Sequence, residues 1–121
     1  MIRQNIRQAQ YLGQLIRHES SLELMAPVSL NVVCFRYNPG NLMKGELSEL
    51  NKEILMRLHE EGFVAPSYTK LNQEYCLRVA IVNHRSRMKD FDLLAKEVIR
   101  LGDSIQKERS FSYIEMKEKV A

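Results

Sequence analysis

Glycine is scarce in this chain: five occur in 121 residues, none of them in a glycine-rich loop ahead of a helix. That removes the usual backbone cradles for phosphate. Cysteine is scarcer still. Cys34 and Cys76 each sit in an apolar strand and neither belongs to a Cys-x-x-Cys pair, so no metal knuckle or redox motif is expected. Both read as small buried hydrophobes kept reduced in a cytoplasm. No apolar run approaches the roughly 20 residues needed to cross a bilayer, and the first helix spaces its apolar residues too widely for a signal peptide. A soluble cytoplasmic protein without membrane contact is expected. Charge of one sign is also lacking: the net charge is +3, with Lys and Arg interspersed among Asp and Glu from Lys44 onward. Nucleic-acid binding gains little from such a balance. His18, His59 and His84 fall on different elements, and no His/Cys/Asp cluster has metal spacing. Nucleophile, base and orienting group never appear as a set. An active site assembled by this chain alone is therefore not expected.

What remains is ordinary globular composition, 45% hydrophobic and 27% charged, in a length that suits one domain. No repeat, low-complexity tract or linker interrupts it. Ile2, Ile6, Ala9, Leu12, Gly13 and Ile16 recur at helical spacing and predict a helix over 1–19. Its uncapped start, with arginines where the helix dipole favours anions, looks like a helix cut from something longer. Short strands are expected at 22–25 and 30–37, the latter rich in β-branched and aromatic residues. Asn38-Pro39-Gly40-Asn41 signals a turn. Leu47, Leu50, Ile54 and Leu58 mark a second helix over 45–61, which Gly62 can end in the left-handed region. A hairpin is expected over 65–83, turning at Asn72-Gln73, with Pro66 placing its first strand late or at an edge. Ser86 is read as the cap of a third helix, 87–107, whose stripe is Phe91, Leu94, Ala95, Val98, Leu101 and Ile105, with Gly102 loosening its last turns. The domain is expected to span 1–108, and 109–121 to form a polar tail or short helix. The fold class is α/β of the α+β type: a small antiparallel sheet of three to four strands packed with about three helices.

The most telling stretch is the strand around Arg78. In a pleated strand Leu77, Val79 and Ile81 share one face, and Cys76, Arg78, Ala80 and Val82 share the other. Helices on one side leave this second face too apolar for water, so it should meet another domain or subunit, or a second copy of the chain. A guanidinium there cannot lose its proton and needs an anionic or carbonyl partner. Two readings stand: Arg78 binds an anionic ligand, or it snorkels to the rim or pairs with a structural acid such as Glu74.

The segment from Leu24-Met25-Ala26-Pro27 through Val32-Val33-Cys34-Phe35-Arg36-Tyr37 resembles the carboxy-terminal region of group II pyridoxal-phosphate-dependent amino-acid decarboxylases, the glutamate and aromatic-amino-acid decarboxylase family. The likeness continues through Glu49-Leu50-Asn51, the hairpin and Leu77-Arg78-Val79-Ala80-Ile81-Val82-Asn83-His84-Arg85, covering roughly Ile2 to Leu101. It implies the small carboxy-terminal domain of a fold-type I, dimeric enzyme, with pyridoxal 5'-phosphate bound by a large domain through the lysine of a His-Lys pair. No histidine here is followed by lysine, so Lys44, Lys70 and Lys96 are read as ordinary solvated side chains and the chain alone as inactive and cofactor-free. The resemblance also implies a role for Arg78: in Arg78-Val79-Ala80-Ile81-Val82-Asn83 it matches an arginine that contacts the substrate's α-carboxylate. The competing reading is a freestanding ligand-binding or protein-interaction module. An RNA-recognition sheet would need exposed aromatics, and Phe35, Tyr37, Tyr68 and Tyr75 form no obvious platform.

Overall fold

Seven elements follow one another among the described residues: α1 (Ile2–His18), β1 (Leu22–Leu24), β2 (Val32–Tyr37), α2 (Lys44–Glu60), β3 (Pro66–Leu71), β4 (Glu74–Ala80) and α3 (Met88–Val120). This computed structural model describes residues 2–63, 66–81 and 88–120. The four strands form one antiparallel sheet in the order β1-β2-β4-β3. The fold is thus α+β, three helices on a four-stranded sheet. Ser86 and the end of the expected hairpin, with Val82, Asn83, His84 and Arg85, lie outside the described residues.

Register decides which side chains face the helices. Leu22 pairs with Tyr37, Phe35 with Leu77, and Val33 and Pro66 both with Val79, so these residues share one face. Phe35, Leu77 and Val33 are wholly buried there, together with Leu12 and Ile16 of α1, Leu50, Ile54 and Leu58 of α2 and Val98 of α3. All three helices pack on this side of the sheet or against one another. The opposite face carries Glu23, Val32, Cys34, Arg36, Cys76, Arg78 and Ala80, and no described helix covers it.

The two strands of the hairpin meet at Asn72 and Gln73, whose φ angles of 52° and 67° are those of a type I′ turn. Asn accepts that region readily and Gln less so. β3 is an edge strand, where Pro66 has no ladder N–H to withhold. Gly62, at φ 99°, ends α2 as the left-handed residue.

α2 is fastened to the sheet by one buried amide. The Asn51 Oδ1 accepts the Tyr37 N–H at 2.8 Å, and its Nδ2 donates to the Tyr37 carbonyl at 3.0 Å and the Leu47 carbonyl at 2.8 Å. β2 ends at Tyr37, so this side chain supplies partners that no further strand residue provides. The phenol of Tyr37 in turn donates to Asp103 and, at 3.2 Å, to the Gln106 Oε1 on α3. Burial and then the Asp103 contact push that phenol far above its ordinary pKa.

Two expectations are corrected here. α3 does not stop near 107 but runs to Val120, so the tail or short helix expected over 109–121 is, as far as Val120, part of the same helix. Half of residues 109–120 are Lys, Glu, Arg or Met and no Gly or Pro follows Gly102, which is composition that can sustain a helix; just ahead of that stretch Arg57 donates to both carboxylate oxygens of Glu108, at 3.2 and 2.8 Å. Gly102 does not loosen the helix. It is a close-approach site: a Cβ there would collide with the ring of Tyr37. Bounds shift elsewhere too, since β2 begins at Val32 rather than residue 30 and β1 ends at Leu24. Leu30 is left 68% exposed outside the ladder.

A methyl group at Gly102 must therefore displace a buried ring or separate α3 from β2. Gly102→Ala should destabilise the fold by about 1–3 kcal/mol, whereas Gly45→Ala, where the added carbon meets nothing within 4 Å, should be neutral or gain up to about 1 kcal/mol. Thermal melts of the two variants beside the parent chain check this ordering.

Candidate functional site

The uncovered sheet face holds two arginines in different states. Arg36, on β2, is buried at 7% exposure. Its Nε donates to Glu23 at 2.9 Å and its Nη1 to Glu74 at 3.4 Å, so strands on either side each supply a carboxylate. Glu23 also accepts from Asn38 Nδ2 at 2.7 Å, and Lys44 approaches Glu74 at 3.6 Å. This end of the face is an internally neutralised network. Burial works to raise the Glu23 pKa, but the hydrogen bonds from Asn38 and Arg36 outweigh it and leave the carboxyl below its ordinary value.

Arg78 differs. β4 places it directly opposite Cys34 on one side and Ser67 on the other. It is half-buried, and among the described residues its guanidinium has no hydrogen-bonding or ion-pair partner. Glu74, the acid that sequence offered as its structural mate, is spent on Arg36 and Lys44 instead. The separation is geometric, because Glu74 stands four residues away along the same strand, about 13 Å at the rise of an extended chain. A planar donor fork at the surface of a rigid central strand is well suited to a bidentate carboxylate or phosphate.

The neighbours of Arg78 are thiols and small apolar groups. Cys34 is half-buried and Cys76 buried, and they stand on adjacent strands of this same face. The four aromatics considered for an RNA platform lie on the other side: Phe35 and Tyr37 are in the core, while Tyr68 and Tyr75 stack on each other at 5.1 Å and an interplanar angle of 6°. The histidines stay apart. His18 Nδ1 contacts the Gln14 carbonyl at 2.8 Å, His59 Nε2 contacts the Pro66 carbonyl at 2.7 Å, and His84 lies outside the described residues. Glu49, Glu53 and Glu97 make surface pairs with Lys52, Arg57 and Arg100. Among the described residues no three His, Cys, Asp or Glu side chains gather as a metal site, and no helix is long and apolar enough to cross a membrane. The Arg36 network was missed in the sequence. Its only sequence signal was that Glu23, Arg36 and Glu74 each fall in a strand at outward-facing positions.

Two stability predictions separate the arginines. Arg36→Leu takes the guanidinium away from two carboxylates, leaving Glu23 to Asn38 and Glu74 to Lys44, and should cost about 1–3 kcal/mol, while Arg78→Leu removes a charge that has no partner among the described residues and should be neutral or stabilising in the isolated domain; chemical denaturation of both variants decides. Because Glu23 has a depressed pKa in the fold, its contribution is present above the ordinary carboxylate pKa and is lost as pH falls through the depressed value. Stability measured downward from about pH 5 should therefore decline, and less steeply in Glu23→Gln.

No family model matches the chain. Curated proteins do: it is 29% identical over 108 residues to an aromatic-L-amino-acid decarboxylase of Drosophila simulans, covering 89% of this chain and 20% of that protein. It is 30% identical over 95 residues to tyrosine decarboxylase 3 of Petroselinum crispum, covering 70% of this chain and 18% of the relative. The chain thus spans about a fifth of the length of the curated relatives it matches. Among solved structures, the tryptophan decarboxylase of Catharanthus roseus in complex with L-tryptophan superposes with a TM-score of 0.74 at 26% identity, over 85% of this chain and 21% of that one. The Oryza sativa TDC with PLP shares the fold with a TM-score of 0.78 at 19% identity, over 86% of this chain and 23% of that one. Sequence and fold together match this chain to a small part, the carboxy-terminal one, of the group II pyridoxal-phosphate-dependent amino-acid decarboxylases.

Proposed function

We propose that this chain is the small domain of a cytoplasmic amino-acid decarboxylase, that it does no chemistry alone, and that its uncovered sheet face docks on a large pyridoxal-phosphate-binding domain. The observation that carries this reading is Arg78: a guanidinium that has no anionic partner among the described residues, on a face that no described helix covers. Burying that face against a companion removes Val32, Ala80 and the half-buried thiol of Cys34 from water, and it lowers the dielectric around Arg78, so a carboxylate held there is held more tightly. In this assembly Arg78 binds the α-carboxylate of the amino-acid substrate. The rigid β4 backbone fixes the fork, and the fork fixes the direction of the bond to be broken.

The described residues do not fit pyridoxal phosphate itself. Lys44, Lys52, Lys70, Lys89, Lys96 and Lys107 are all exposed, so none offers the desolvated amine that a stable imine with the cofactor requires. When bound by the companion domain, pyridoxal phosphate supplies the electron sink for decarboxylation. This chain supplies closure of the site, exclusion of water and a grip on the carboxylate. A homodimer of the complete enzyme is part of the same proposal.

The test is reconstitution. A neighbouring reading frame encoding a His-Lys motif, co-expressed with this chain, should give decarboxylase activity that neither part shows alone. In that assembly Arg78→Ala should weaken transition-state binding by roughly 2 to 5 kcal/mol, read as kcat/KM. Unchanged kcat/KM would remove Arg78 from the site, and visible absorbance of lysine-bound pyridoxal in this chain alone would overturn the division of labour.

A further inference from the structure

The chain's two cysteines come from different strands yet share a face. Cys34 lies opposite Arg78 in the β2–β4 register, and Cys76 precedes Arg78 by two residues on β4, which makes the two cysteines diagonal neighbours. Both side chains project from this face on adjacent strands, and the Cys76 Sγ donates to the Thr69 carbonyl at 3.6 Å. Diagonal positions put Cα atoms about 7–8 Å apart, beyond the about 4.4–6.8 Å that a disulfide spans. A direct sulfur–sulfur bond would need the strands to move. One soft ion between the sulfurs lengthens the bridge and needs no such movement.

We propose that Cys34 and Cys76 form a two-thiolate site for a soft monovalent cation of the copper(I) class. Thiolates select such ions over harder ones. The binding step balances as one cation plus two thiols giving a two-coordinate bis-thiolate and two protons released to solvent, with no change of oxidation state. The product carries one negative charge, and Arg78, which has no anionic partner among the described residues, stands opposite Cys34 to neutralise it. Cys34, being half-buried, gives the ion its way in. Burial pushes both thiols up, Cys76 to about 11, while Arg78 draws Cys34 and Arg36 draws Cys76 back towards the thiolate. Cation binding therefore competes with protons. The inference rests on the geometry of this face and not on the decarboxylase reading; the two meet only because a bis-thiolate and a substrate carboxylate would claim the same guanidinium.

The test uses the purified 121-residue chain, anaerobic and reduced, with copper(I) delivered from its bicinchoninate complex. The expected result is one copper(I) per chain, a thiolate-to-metal charge-transfer band in the ultraviolet, an unchanged sedimentation coefficient, and affinity rising up to about a hundredfold per pH unit as two protons are displaced. Cys34→Ser and Cys76→Ser should each abolish uptake, and Arg78→Leu should weaken it about tenfold, the size of one charge interaction at a partly wet surface. No transfer from the chelator, one copper per two chains, or a serine variant binding as tightly as the parent would each overturn the proposal. Thermal melts report whether each variant folds; should Cys76→Ser fail, Cys34→Ser at the half-buried position, with the proton count, decides.

Discussion

A sheet that takes all its described helices on one side leaves the other to whatever comes next, and here that other side holds a guanidinium with no anionic partner among the described residues. The architecture follows from this asymmetry. β4 is buried with Tyr75, Leu77 and Val79 on the helix side, while its outward residues mix a buried thiol, a half-buried arginine and an alanine. Such a strand is neither the clean alternation of a solvated antiparallel sheet nor the continuous apolar run of a covered one. It has the composition of a surface that is dry only in company.

The two arginines show how one face separates a structural charge from an available one. Arg36 sits between β1 and β4, and each neighbour contributes a glutamate, so its desolvation is offset by hydrogen bonds on both sides. Arg78 sits between β2 and β3, where the opposing residues are Cys34 and Ser67 and neither carries a formal negative charge. An unpaired, half-desolvated charge is a standing cost to the isolated domain, and such costs persist where binding recovers them. The position of Arg78 along β4 matters as much as its identity. One residue earlier or later it would point into the core beneath α2, and at the rim it would be solvated and weak.

Much of this was legible in the chain. Every residue of the apolar stripes expected in α2 and α3 is buried, because periodicity reports a one-sided environment directly, although Asn51 and Leu55 of α2 are buried beside them. Asn72 announced the hairpin through its tolerance of positive φ. What sequence could not report were pairings between elements. Gly102 reads as a weak point within a helix because nothing local shows that Tyr37 will lie against it, and Asn51 stands only in a stretch of family likeness that gives no sign of its bridge to Tyr37. Glu74 was offered to Arg78 on proximity along the strand, whereas cross-strand register sends it to Arg36. The long α3 was underestimated because apolar spacing ends near Ile105, and a helix sustained by propensity and one surface clamp carries no such spacing.

The core explains why the open face can keep its shape while waiting. Tyr37 ends β2 with its ring against Gly102, its phenol held by Asp103 and Gln106 of α3, and its backbone held by Asn51 of α2. β2 is thereby tied to two of the three helices that back the sheet, and β2 pairs with β4 through Cys34 and Arg78 themselves. A shift of β2 that misplaced those side chains would have to break a buried amide bridge and a ring contact that tolerates no added carbon. The strand that carries the candidate site is thus held from behind, through contacts that do not use the face in front. That division lets the open side keep an unpaired charge and a part-exposed thiol without asking either to contribute to stability, so both remain free for a ligand or partner to claim.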